Sequence, residues 1–399
     1  MEVITIWQQE FNRLMQRLKP QFARSQSRGW ARAYLQGLLS HIGRKNSWQI
    51  AESLGETSPY GLQQFLYRAK WDAGQVRDEL RAYVVEHLAD PEAVLVVDES
   101  GFMKKGEHSA GVQVQYCGRI GRTTNCQVGV FLTYASRQGH TFLDRALYLP
   151  QSWTDDRARC REAGIADEVA FATKPELALQ MLKAALAAGV PAAWVTGDSV
   201  YGNGMLIRGW LEQRPIGYVM AVSRNETIIS SADGYPHRVS EYLDNLPTEG
   251  WQRLSAGEGS KGPRWYDWLR LPLYDLPPTG WQRWLLVRRS LTDPTDLTAY
   301  VCFAPADTAL AKLVQVAGTR WTVEQCFEMA KQEAGLDEYE VRSYTGWYRH
   351  ITLACLAHAF LTVLRAQGLD PLDLCQKKTP PTRPSSLATF KAKRGLISL

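Results

Sequence analysis

Two short apolar runs, far apart in the chain, each stop at an aspartate: Ala93-Val94-Leu95-Val96-Val97 before Asp98, and Ala192-Ala193-Trp194-Val195-Thr196-Gly197 before Asp198. Unbroken apolar runs of this length read as strands buried on both faces, in a sheet covered by helices. An acid at the point where such a strand ends turns out of the core toward solvent. The bland role for each acid alone is a turn or a helix cap. A third carboxylate, Glu324, lies in the helical stretch Arg320-Trp321-Thr322-Val323-Glu324-Gln325-Cys326-Phe327. Two strand-end acids and a helical Glu offer the oxygen ligands that a pair of Mg²⁺ ions takes when acting on phosphates.

The rest of the composition narrows the setting. The chain of 399 residues is long enough for two or three domains. No apolar run approaches the roughly 20 residues that cross a bilayer, and Met1-Glu2-Val3-Ile4 lacks the order of a secretion signal. The expected location is the cytoplasm. Seven cysteines without a Cys-x-x-Cys pair imply reduced thiols. Seven scattered histidines show no zinc-ligand spacing.

The net charge of +5 is modest, but it is unevenly spread. Residues 11–50 hold eight basic side chains and no acid, and residues 376–399 hold six and no acid. Such blocks read as footprints for a polyanion, in the simplest case nucleic acid.

Periodicity organises the chain. Residues 1–90 read as helices throughout, and Ser47–Gly55 followed by Ser58–Leu66 suggests a helix, a turn and a second helix able to enter a DNA groove. From about residue 91 strands take over, at 93–97, 111–116 and 126–134. Helix and strand then alternate to about residue 223, which indicates an α/β layer structure. Residues 224–298, with Trp251, Trp265, Trp268, Trp281 and Trp284 in short alternating runs, read as an antiparallel β-rich stretch. Residues 299–370 return to a strand and then helices, and 371–399 form a basic tail.

Arg320, Glu324, Phe327 and Lys331 recur at i, i+4, i+7 and i+11, so they share one helical face. On spacing alone, salt bridges on an exposed helix are the slightly favoured reading. The wider motifs separate the two readings. Asp98-Glu99-Ser100-Gly101-Phe102 with Lys104-Lys105-Gly106, Gln115-Tyr116-Cys117-Gly118-Arg119, Asn125-Cys126-Gln127-Val128-Gly129-Val130, Leu147-Tyr148-Leu149-Pro150 with Trp153, and Asp198-Ser199-Val200-Tyr201-Gly202 together resemble bacterial insertion-sequence DDE transposases. The nearest likeness is to the insertion-sequence 701 family, within the group that shares a Tyr-Arg-Glu-Lys signature. Arg320, Glu324 and Lys331 match that signature, while Ala317 stands where its Tyr is expected.

The resemblance implies an α/β fold with an RNase H-like catalytic core (91–223 and 299–370) interrupted by a β-rich insertion (224–298), behind an N-terminal all-helical DNA-binding domain (1–90). It implies that Asp98, Asp198 and Glu324 hold two Mg²⁺ ions, with Mn²⁺ able to substitute. Cleavage of insertion-sequence ends and their joining to target DNA would follow, with or without a hairpin end. The partners implied are double-stranded DNA, as terminal inverted repeats and target, and a second copy of the chain in a synaptic homodimer. Arg320 and Lys331 would clamp phosphate, and Lys104, Lys105, Arg119, Arg122, Arg342, Tyr348 and Arg349 are expected to touch DNA. Trp251, Trp265 or Trp281 would be the platform for an extruded base, although a core role suits most of them better. Glu99 is expected to face away from Asp98. The alternatives are a Mg²⁺-dependent nuclease without strand transfer and a non-catalytic DNA-binding repressor.

Overall fold

The computed structural model describes residues 2–231, 233–259, 262–274 and 278–369, so the basic tail lies outside the described residues. Five helices come first: α1 (Glu2–Leu18), α2 (Ser25–Leu39), α3 (Ser47–Ser53), α4 (Tyr60–Tyr67) and α5 (Ala73–Leu88). The expected short helix, turn and second helix are α3 and α4. The Asn46 side chain caps α3 by accepting from the backbone N–H groups of Trp48 and Gln49.

The first strands are β1 (Val94–Met103), β2 (Gln113–Cys117), β3 (Arg122–Ser136) and β4 (Gly139–Tyr148). Helices α6 (Gln151–Thr154), α7 (Arg157–Glu162) and α8 (Lys174–Ala187) follow, then β5 (Trp194–Gly197), α9 (Ser199–Gly202), α10 (Leu206–Leu211) and β6 (Gly217–Val222). A two-stranded hairpin, β7 (Thr227–Ile229) with β8 (Pro236–Arg238), leads into α11 (Val239–Asp244). The long antiparallel strands β9 (Gln252–Gly259), β10 (Gly262–Pro272), β11 (Trp281–Arg289) and β12 (Leu297–Pro305) come next. The described chain closes with α12 (Leu310–Thr319), α13 (Trp321–Ala334) and α14 (Tyr344–Ala366).

One sheet of ten strands organises all of this. Its order is β2-β3-β1-β5-β6-β12-β11-β10-β9, with β4 also on β3. β1, β5 and β6 run parallel to one another, and every other neighbouring pair is antiparallel. The path β4-β3-β1-β5-β6, three antiparallel strands and then two parallel ones, is a mixed α/β sheet of the kind an RNase H-like core requires. The tryptophan-rich strands do not stand apart, since β12 pairs with β6 and carries the same sheet outward to β9.

Leu95, Val96 and Val97 are fully buried, as expected of a strand covered on both faces. One large apolar core runs from Trp7 to Leu364, so the N-terminal helices share it with the sheet, and a small second cluster gathers Cys117, Cys126 and Val128. Among the described residues no helix is long and apolar enough to cross a membrane. The six described cysteines are buried free thiols.

Candidate active site

The register of the two short parallel strands brings the aspartates together. Val97 pairs with Gly197, so Asp98 and Asp198 are the next residues on neighbouring chains. One detail departs from the sequence reading, because β1 does not stop at Asp98. It continues to Met103, held by its antiparallel pairing with β3, and only β5 stops. Asp98 therefore stays in the strand, at the point where its neighbour on one side ends. Asp198 caps α9 by accepting from the backbone N–H of Val200 (2.9 Å).

Helix α13 lies over this edge. Its expected face holds: Arg320, Glu324, Phe327 and Lys331 all line a cleft of about 550 Å³ whose other wall includes Asp98, Glu99 and Ser100. Arg320 Nη1 donates to Asp98 Oδ2 (3.2 Å) while its Nη2 donates to Glu324 Oε1 (2.9 Å). One guanidinium thus stands between two acids that are remote in the chain. Lys331 Nζ donates to Ser100 Oγ (2.8 Å), two residues along the same strand face as Asp98.

Burial pushes the Asp98 carboxyl up to about 7, with Arg320 opposing and the charges of Asp198 and Glu99 adding to the rise. Asp198 is also raised, first by burial and then by Glu99. Glu99 turns its carboxylate to Lys174 Nζ (2.6 Å) on α8 and to the Tyr201 hydroxyl on α9. It therefore ties the turn carrying Asp198 to the strand carrying Asp98, a link that the sequence reading missed.

The donor chemistry fits a hard divalent cation. The carboxylates Asp98, Asp198 and Glu324, with Glu99 and Glu328 beside them, come without thiol or imidazole, and the buried acids crowd their charges, a cost that a cation relieves. Among the described residues, however, no three such side chains converge as a ready-made ion site. Arg320 stands between Asp98 and Glu324. Asp198 opens instead into an adjoining cleft of about 380 Å³, which Arg320 also lines.

The other residues expected at DNA divide. Lys105, Arg122 and Arg342 are exposed. Arg119 sits in the turn between β2 and β3, and its side chain lies outside the described residues. Lys104 is not a free loop charge, because its Nζ donates to the Tyr339 carbonyl (3.2 Å) and lies over that ring at 3.5 Å. Burial pushes its ammonium down to about 8.

One of the expected contacts is corrected. Arg349 is buried, and its guanidinium donates to the carbonyls of Phe65, Leu66, Ala69 and Trp71 at the end of α4. Tyr348 lines a different cleft, and its hydroxyl accepts from the Leu147 N–H (3.1 Å). Both residues brace the N-terminal helices and the sheet against α14.

The tryptophans divide as well. Trp281 stacks on Phe303 and Trp251 lies under Arg289. Trp265 is half exposed. The tryptophan lining the Asp198 cleft is Trp321.

A family model described as DDE superfamily endonuclease matches residues 17–241, more than half of the chain, including both aspartates. The probable transposase for insertion sequence element IS701 of Microchaete diplosiphon is 26% identical over 316 residues, covering 77% of this chain and 75% of that one. Among solved structures, the NurA nuclease from Sulfolobus solfataricus aligns at a TM-score of 0.29 and 11% identity over 67% of this chain and 86% of that one, too slight a likeness to inform the fold. The chain belongs to the DDE superfamily endonucleases.

Proposed function

We propose that the chain cleaves the ends of an insertion sequence and joins them to target DNA in one active site, with Asp98, Asp198 and Glu324 as its acids. The observation that supports this best is the Arg320 guanidinium between Asp98 and Glu324, beside Asp198 on the next strand. Spacing had also allowed an exposed salt-bridged helix, but this helix turns its charged face into the cleft.

Asp98, Asp198 and Glu324 would hold the divalent ions, two Mg²⁺ or Mn²⁺, which when bound supply Lewis acidity toward the phosphoryl oxygens and activate water at neutral pH. The chain's own groups supply position and charge. Arg320 bridges two acids and reaches both clefts, so it is placed to meet a phosphate as negative charge grows on its oxygens. Lys331, resting on the Ser100 hydroxyl, presents a second cation on the same helical face. Glu99 and Tyr201 keep the two aspartates in register. After hydrolysis frees a 3′-OH, the same cleft admits that hydroxyl as the attacking group on target DNA, whether or not the end passes through a hairpin.

Helices α1 to α5, with the acid-free block 11–50, would grip double-stranded DNA, and the exposed Lys105, Arg122 and Arg342 would extend that surface. A homodimer pairing two ends is part of this reading.

The test uses purified protein, the element's own ends and Mg²⁺ or Mn²⁺, with products resolved on a denaturing gel. D98A, D198A and E324A should each abolish cleavage and leave DNA binding within a few-fold of wild type. A variant that still cleaves at the wild-type rate removes its residue from the site. Pre-cleaved ends mixed with a target plasmid should yield joined product, and cleavage without joining would leave a nuclease.

A further inference from the structure

The cleft beside Asp198 is built from positions that no motif singled out. On β10, Arg264 and Tyr266 alternate onto one face of the sheet, and Arg288 on β11 and Thr298 on β12 meet them through the strand register. Trp321, at the start of α13, closes the cleft from the helix side.

The arginines of this chain divide by the partner they hold. Arg77, Arg208 and Arg283 are each paired with a carboxylate. Among the described residues Arg264 and Arg288 have no ion-pair partner. Arg264 Nη2 donates to the carbonyls of Ala256 (2.6 Å) and Gly318 (3.0 Å), and its guanidinium lies over the Trp321 ring at 5.4 Å. Arg288 Nη2 donates to the Thr298 hydroxyl (2.8 Å), and its guanidinium lies over the Tyr266 ring at 4.6 Å. The Nε of each arginine is buried without a hydrogen-bond partner. Two arginines without a carboxylate partner, lining one cleft, favour a shared anionic acceptor. Burial, which lowers the Arg264 guanidinium's pKa, marks how strongly that charge is desolvated.

We infer that Arg264 and Arg288 form a binding subsite for a backbone phosphate of the DNA strand entering beside Asp198. A phosphodiester offers acceptor oxygens to guanidinium groups that no carboxylate neutralises, and arginine is the side chain suited to it. This inference rests on the DNA-processing reading above. It adds a phosphate contact outside the Arg320 and Lys331 face, on the strands that continue the sheet beyond β6.

Arg288 is the better probe, because Arg264 also holds two backbone carbonyls while Arg288 holds only a hydroxyl. The full-length protein is titrated with labelled duplex DNA in EDTA, so that no cleavage intervenes, over a series of salt concentrations. R288Q should melt within a few degrees of wild type and bind about tenfold more weakly. Its log affinity should depend on log salt with a slope smaller by about 0.9, the release of one phosphate's counterion. R288K, which keeps the charge but loses the forked geometry, should keep the wild-type slope.

Wild-type affinity and slope in both R288Q and R264Q would overturn the inference and leave the DNA-processing reading standing. So would variants that lose only a thermal stabilisation by inorganic phosphate while binding DNA normally, because the pocket would then be a free-anion site. A wild-type protein with no affinity for DNA would sink both.

Discussion

Arg349 gives the clearest trial of the structural reasoning, because the sequence placed it at DNA and the structure places it inside. Its side chain is 6% exposed. Nη1 donates to Phe65 O (3.3 Å) and Leu66 O (3.1 Å), Nη2 donates to Ala69 O and Trp71 O (both 2.6 Å), and the guanidinium lies over the Trp71 ring at 4.7 Å. Burial pushes it down to about 10, and backbone carbonyls surround it in place of an acid. Methionine keeps much of the aliphatic stem and removes all four donations. Charge-assisted bonds are worth about 1.5–3 kcal/mol each, but water entering the vacated space recovers part of that sum. The expected net loss for R349M is roughly 3–5 kcal/mol, the range for breaking a buried charge from its partners. That is a large fraction of the about 5–15 kcal/mol that holds a protein folded. R349K, with one ammonium to share among four carbonyls, should lose about half as much. Urea unfolding followed by circular dichroism reads the loss, and the salt dependence of DNA binding reads the rival role. If R349M unfolds within about 1 kcal/mol of wild type while its salt slope falls by about 0.9, Arg349 touches phosphate and the structural assignment is wrong.

Two further outcomes follow from the fold. Burial holds the His350 and His358 imidazoles near pKa 3, well below the ordinary value, with Lys104 adding at His350, and His140 and Arg365 at His358. The unfolded chain takes up these protons near pH 6.5 and the folded one does not, so stability is whole above that pH and falls as pH drops toward 3, by up to about 1.4 kcal/mol per unit for each histidine. Asp98, raised to about 7, works in the opposite direction. The measurement is therefore the difference in melting temperature between pH 7.5 and 5.5, wild type against H358Q, and an equal pH dependence in both would refute the assignment. Separately, a methyl group at Gly202 would run into the carbonyl oxygen of Ala221 on β6. G202A should shift α9 and with it Asp198, at about 1–3 kcal/mol of stability and with most of the cleavage activity lost. Full activity in G202A would show that the turn after Asp198 has slack.

What the sequence disclosed and what it hid separate along physical lines. The helical face of Arg320, Glu324, Phe327 and Lys331 was legible because a 3.6-residue period is local, and all four side chains line one cleft. The neighbouring of Asp98 and Asp198 was legible because two apolar runs of similar length had to lie side by side inside a covered sheet. The course of β1 past Asp98 was not, since Asp98-Glu99-Ser100 reads as a polar exit from a strand, and only its pairing with Phe131, Val130 and Gly129 of β3 keeps it extended.

The misplaced cations share a cause. An arginine or lysine in an unpaired stretch looks solvated until the chain folds, and its partner can be a carbonyl that carries no sequence signal. Arg349 answers to the end of α4 and Lys104 to Tyr339, neither visible as a charge pattern. Arg264 and Arg288 were hidden for the complementary reason. Each lies on a separate strand of alternating aromatics, and only the register Trp268↔Arg288 and Arg288↔Thr298 puts them on one wall with Asp198 at its foot. Arg349 and Arg264 both hold backbone carbonyls and both keep a buried Nε without a partner, so their surroundings separate them: Arg264 and Arg288 line the cleft beside Asp198, whereas Arg349 packs against the end of α4. Place in the fold, read with the hydrogen bonds, therefore sorts the cations of this chain where charge counting cannot.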